Sequence, residues 1–185
     1  MCKLFAGSRS ANSGIVARLG CAFAASAIAI AVNTALLSAA DYFHLVTARG
    51  GLLSLFLQEA RRYVSVSPVY QTYGFQQAFH VAVGIVMGIA YALLFACLRG
   101  SAWKKGVTYG VLVWFANACI VLPAIHQGVA GYRVISVGGM LYFACAHMVF
   151  FLLCAVLFER FYYEFSTRNH EPDLNRPGNR GGWLV

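Results

Sequence analysis

Charge is what this chain has least of. Lys, Arg, Asp and Glu make up 11% of its 185 residues, against 60% apolar residues and a mean hydropathy of +0.67. Soluble domains carry about 25% charged residues, so a water-soluble globule is excluded, and so much apolar sequence also excludes intrinsic disorder. Acids are the scarcer sign, 6 Asp+Glu against 14 Lys+Arg. The resulting charge of +8 does not point to nucleic acid, because the basic residues are spread along the chain between its apolar runs. Catalytic signatures are missing as well: there is no Walker loop, no GxSxG and no HExxH. What remains is an all-α polytopic membrane protein built as one compact unit.

A bilayer core about 30 Å thick needs about 20 mostly apolar residues as helix. Four stretches qualify, at residues 19–40, 78–98, 106–125 and 135–158, and none contains Lys, Arg, Asp or Glu. They predict an integral-membrane four-helix bundle over residues 1–160, followed by a tail at 161–185. Ser38-Ala39-Ala40 has the small residues of a signal-peptidase site, but an apolar run of about 22 residues exceeds the 7–15 of a signal peptide. The first span therefore reads as an uncleaved anchor.

Basic residues favour the cytoplasmic side of a membrane. Lys3, Arg9 and Arg18 precede the first span, Arg99, Lys104 and Lys105 separate the second from the third, and Arg160, Arg168, Arg176 and Arg180 follow the fourth. The opposite loops hold Arg49, Arg61, Arg62 and Arg133. This bias predicts an inner-membrane, multi-pass protein with both termini cytoplasmic and its basic residues near anionic lipid.

Residues 41–77 form a long external segment with its own pattern. Leu52, Phe56, Ala60 and Tyr63 recur at helical spacing opposite Gln58, Glu59, Arg61 and Arg62. Gly50-Gly51 allows a sharp turn and Pro68 prevents continuation. The expectation is a short amphipathic interfacial helix between spans 1 and 2, serving as a lid, a docking surface or a cap on the bundle. After Arg160, Phe161, Tyr162, Tyr163 and Phe165 supply an aromatic belt, and the residues from Thr167 onward read as a flexible extension.

Helices in lipid associate through close backbone approach. Small residues recur every four positions at Gly84, Gly88, Ala92 and Ala96 in the second span and at Ala27, Ala31, Ala35 and Ala39 in the first. Gly106 and Gly110 open the third. These stripes serve either a tight bundle or docking onto another subunit.

The chemistry-bearing candidates are histidines. His80 shares the stripe of Gly84, near the external end of the second span. With His44 and His126 on the same outer side, it is a weak candidate for a transition-metal site, since neutral imidazole suits such ions. No paired HxxH or HxxxH accompanies these histidines, and the only external acids are Asp41 and Glu59. His147 lies in the middle of the fourth span, about 18 Å down, whereas His80 is about 4 Å down at 1.5 Å per residue. That mismatch opposes a haem held by both. Quinone contact or proton relay is one role for His147, and a hydrogen bond to Asn33, Thr34 or Asn117 is the structural alternative. The six cysteines, Cys2, Cys21, Cys97, Cys119, Cys145 and Cys154, avoid both external loops and form no CxxC, so they read as apolar packers rather than thiol chemistry.

The His80-to-Tyr91 helix opening, the third helix ending in Leu122-Pro123, and His147 in the fourth helix form a pattern over the last three spans. Together with an Arg-rich exit and the His170-Glu171-Pro172-Asp173 tail, it resembles the YagU-like family of bacterial inner-membrane proteins. That resemblance implies the fold and the compartment, and carries no activity with it. Two functions remain open. One is a non-catalytic membrane component acting by helix packing with itself or a partner subunit in the lipid bilayer. The other is a redox or small-molecule-binding subunit using His80 and His147 around haem, quinone or lipid.

Overall fold

A computed structural model describes residues 8–47 and 50–170. The expected tail from Glu171 onward, with Cys2, Lys3 and Arg49, lies outside the described residues. Among those described the chain is all-helical, without strands. Helix α1 is Ser8–Tyr42 and α2 is Gly51–Ala60. Helix α3 is Tyr73–Ala90, prolonged by a π turn at Tyr91–Phe95, and α4 is Ala102–Ala116, prolonged by a π turn at Asn117–Val121 and by Leu122–Ala124. Helix α5 is Val137–His170. Four segments are long and apolar enough to cross a membrane: Gly14–Tyr42, Tyr73–Phe95, Ala102–Ala124 and Val137–Arg168.

The boundaries move in informative ways. Thr72 caps α3, its Oγ1 accepting the Phe75 N–H at 3.4 Å, so the helix begins at Tyr73 rather than near Ala78. In α4, Pro123 offers no N–H and its ring crowds the preceding turn, which accounts for the wider hydrogen bonding just before it. Helix α5 continues well past Phe158, through the aromatic belt to His170.

Helix α1 packs along α5, α3 lies on α1, and α4 lies on α5. Large apolar side chains such as Phe23, Val86, Leu94, Phe115, Ile120 and Leu141 face outward and are exposed, as expected where the surrounding medium is hydrocarbon. The interior holds two apolar clusters. One, around Tyr91, Tyr109, Phe151 and Phe158, lies toward the end where α1 starts and α5 finishes. The other, around Leu37, Leu122, Ile135 and Phe143, lies toward the α2 end.

Two of the small-residue stripes act inside the bundle. A Cβ on Gly88 would collide with the Ser26 side chain, and one on Gly84 would stand 2.5 Å from Ile30 Cδ1. Gly106 likewise meets Ala155, and Gly110 meets Phe151. The first-span stripe is different: Ala31 and Ala35 are exposed, and the packed face of α1 is Ala22, Ala25, Ser26, Ala29, Asn33, Leu37 and Ala40. Four-residue spacing drifts around a 3.6-residue helix, and here the buried line follows mixed three- and four-residue steps.

Helix α2 crosses the end of the bundle. Gly50, at φ +85, turns the chain into it, and Gly51 lies close over Leu122 and Ile125. Its buried face is Leu53, whereas Phe56 and Tyr63, expected on the apolar side, are exposed. Phe56 still meets the Phe79 ring of α3, at 6.0 Å between centroids. This helix caps the bundle.

Candidate functional site

Helices α3 and α4 meet toward the end where α1 starts, where Tyr109 donates to the Met87 carbonyl at 3.0 Å and its ring lies against Tyr91 and Phe95. Toward the α2 end the two do not pack on each other, and a cavity of about 200 Å³ fills the space between them. Helices α1 and α5 form its back wall and the start of α2 its roof. Asn33, Gln77, His80, Asn117 and His147 all line it, together with the Trp114 indole. Polar groups scattered over four apolar spans in the sequence thus converge on one space.

Their hydrogen bonds have a fixed direction. Asn33 Nδ2 donates to the Ala146 carbonyl of α5 at 2.8 Å. Its Oδ1 is therefore left to accept, and it meets His80 Nε2 at 3.1 Å. An amide oxygen cannot donate, so His80 carries its proton on Nε2. One buried asparagine, 1% exposed, thereby ties α3 to α5 through α1.

His147 is held differently from expectation. Its Nδ1 lies 3.0 Å from the Phe143 carbonyl in its own helix, and Asn33, Thr34 and Asn117 are not its partners. A carbonyl only accepts, so Nδ1 carries the hydrogen and neutral His147 is left with an acceptor lone pair on Nε2. Asn33 bonds to Ala146 and His80 instead, one residue along α5 from the expected partner.

Counted from the starts of their helices, the depths of the two histidines differ by less than the sequence suggests. His80 is seven residues into a span beginning at Tyr73 and His147 ten residues into one beginning at Val137, or about 10 and 15 Å at 1.5 Å per residue. The remaining difference of about 5 Å is within reach of two imidazoles lining one cavity. His44 and His126 do not join them. Both are exposed, at positive φ of 55 and 63 where helices end. Among the described residues no three His, Cys, Asp or Glu side chains gather closely enough to hold a metal ion.

A second polar cluster, at the opposite end of the bundle from α2, was not visible as such in the sequence. Lys105 of α4 forms an ion pair with Glu159 of α5. Glu159 Oε1 also accepts from the Tyr91 hydroxyl at 2.9 Å, and Lys105 Nζ reaches the Ala96 carbonyl at 3.3 Å. Lys105 is 9% exposed and Glu159 28%. Residues that mark span boundaries in the sequence therefore join three helices.

Comparison of the chain with family models, curated proteins and solved structures finds no match. The candidate site stands on its geometry.

Proposed function

We propose that this protein is an inner-membrane protein, with both termini cytoplasmic, that binds one small ring-bearing molecule in the outer half of the bilayer between its second and third spans. The observation carrying this reading is the convergence of His80, His147, Asn33 and Asn117 on one cavity beside a gap between α3 and α4. Buried polar groups in hydrocarbon are costly unless they are used. Asn33 and His80 have a structural use in tying helices together, whereas His147 Nε2 and the Asn117 side chain have no hydrogen-bond partner among the described residues. The π turn starting at Asn117 lies where such turns commonly serve function.

Volume narrows the ligand. The cavity, at about 200 Å³, exceeds the roughly 150 Å³ that accepts benzene in an engineered core but falls short of the 300–1,000 Å³ of cofactor sites. A single ring, with any chain passing out between α3 and α4, suits it. A haem does not, so the quinone or lipid versions of the binding function are favoured over the haem version.

Trp114 supplies the test. In a variant with Trp103 and Trp183 replaced by Phe, Trp114 emission in lipid nanodiscs is expected to be quenched saturably by a brominated single-ring probe such as 4-bromophenol or 4-bromoanisole. Quenching that rises linearly with membrane concentration, as partitioning alone produces, refutes the site. Packing against a partner is the second reading, favoured by Ala31 and Ala35 being exposed on α1 rather than used inside the bundle. Native mass measurement after gentle extraction distinguishes a homo-oligomer or a partner complex from a monomer.

A further inference from the structure

We infer that the ligand of this cavity donates a hydrogen bond, so that the site selects a hydroxyl-bearing ring of the phenol or hydroquinone class over the matching ether or quinone. This deepens the binding function proposed above and rests on it. Three observations carry it.

The first is the hydrogen-bond polarity of His147. Because the Phe143 carbonyl takes the Nδ1 hydrogen, a neutral ring turns only an acceptor outward. The second is Gln77, a cavity-lining residue whose Oε1 is buried without a hydrogen-bond partner among the described residues. An orphaned acceptor in such a place is stabilised by an incoming donor and gains nothing from another carbonyl. The third is the commitment of two of the cavity's donors. His80 Nε2–H is directed to Asn33, and Asn33 Nδ2–H to Ala146, so neither is offered to a ligand carbonyl without breaking the link between helices. Asn117 can accept or donate and does not oppose the choice. Gln77 and Trp114 also carry donor N–H groups, so the choice rests on the two acceptors, His147 Nε2 and the buried Gln77 Oε1, and the size of the cavity limits the head group to one ring.

A matched pair of probes tests the inference: 4-bromophenol donates, while 4-bromoanisole has the same ring and cannot. Both quench Trp114, and their concentrations are compared per lipid to cancel partitioning. The phenol is expected to bind about tenfold more tightly, the effect of one hydrogen bond to an otherwise orphaned acceptor. In His147→Leu that preference is expected to fall below about threefold, with anisole binding retained because the ring site persists. Nitrogen NMR of histidine-labelled wild-type protein provides a second readout that needs no variant to fold. His147 is expected to be the Nδ1–H tautomer, with its Nε2 resonance shifting on phenol addition and not on anisole addition. Saturable binding of both probes with equal affinity overturns donor selection while leaving the binding function intact. Saturable binding of neither overturns the binding function itself. An Nε2–H tautomer at His147 overturns the inference in either case.

Discussion

The ion pair between Lys105 and Glu159 gives the sharpest quantitative expectation. Replacing Glu159 by Gln preserves an acceptor for the Tyr91 hydroxyl and nearly the same volume, so it removes charge alone. Lys105, only 9% exposed, would keep its charge with the Ala96 carbonyl as its remaining protein partner. Stranding one member of a buried pair costs about 3–5 kcal/mol. Glu159 is 28% exposed, so water already screens part of the pair and the expectation lies at the low end, about 3 kcal/mol. Removing both charges with Lys105→Met and Glu159→Gln is expected to recover most of that loss and come within about 1 kcal/mol of wild type, since no stranded ion remains.

The measurement is an unfolding titration with sodium dodecyl sulfate in mixed micelles, followed by helicity and by the emission of Trp103, which neighbours the Lys104–Lys105 pair in α4. The double-variant cycle isolates the coupling between the two charges. A Glu159→Gln loss below about 1 kcal/mol, with the double variant no better, would mean that the pair behaves like a solvated surface bridge. The reasoning from burial would then be wrong.

Three further expectations follow from packing and hydrogen bonding. Gly88→Val forces α3 away from Ser26 of α1 and is expected to cost about 2 kcal/mol in the same titration, while Gly14→Val, where a Cβ would meet open space, is expected to change little. Asn33→Leu removes both links from α1, to His80 and to Ala146, and is expected to cost about 1–3 kcal/mol, membrane hydrogen bonds each contributing about 0.6 and up to 1.7. Pro123→Ala restores the missing N–H, lets the π turn at Asn117–Val121 relax towards α-helix, and is expected to weaken ring-probe quenching of Trp114 about fivefold or more with the fold retained; unchanged quenching would show that the turn does not shape the cavity.

Four uncharged runs make the number and approximate position of the spans legible, because hydrocarbon imposes length and apolarity directly on sequence. The ends are less legible. Tyr73 to Gln77 are too polar to register as span, yet Thr72 caps a helix that includes them. Which small residues face inward is most legible where the stripe includes glycines, as in the second span, where Ala92 is buried with Gly84 and Gly88. At Gly88 and Gly106 the missing side chain is itself the contact surface. Alanine suits a lipid-facing helix equally well, and the regular spacing at Ala31 and Ala35 does not distinguish the two environments. The amphipathic pattern of α2 identifies the helix, while the burial of Leu53 against the end of the bundle adds a second contact that the pattern does not record.

The site shows the same division between what composition records and what geometry decides. His80, His147, Asn33 and Asn117 stand out in the sequence because polar groups at membrane depth are rare. Their convergence depends on two quantities absent from any hydropathy profile. One is the five-residue shift in the start of α3, which lowers His80 towards the level of His147. The other is the separation of α3 from α4, which leaves room for a ligand instead of a packed seam. Gln77 escapes notice because it falls outside the apolar run, and Trp114 because an aromatic residue in a span carries no distinguishing signal. Lys105 and Glu159 stand out in the sequence only as charges bounding apolar runs, and their pairing depends on the packing of α4 against α5, which hydropathy does not record. A cap that extends one helix by a turn and a proline that widens another are enough to gather ordinary intramembrane polar residues into a chemically directed cavity.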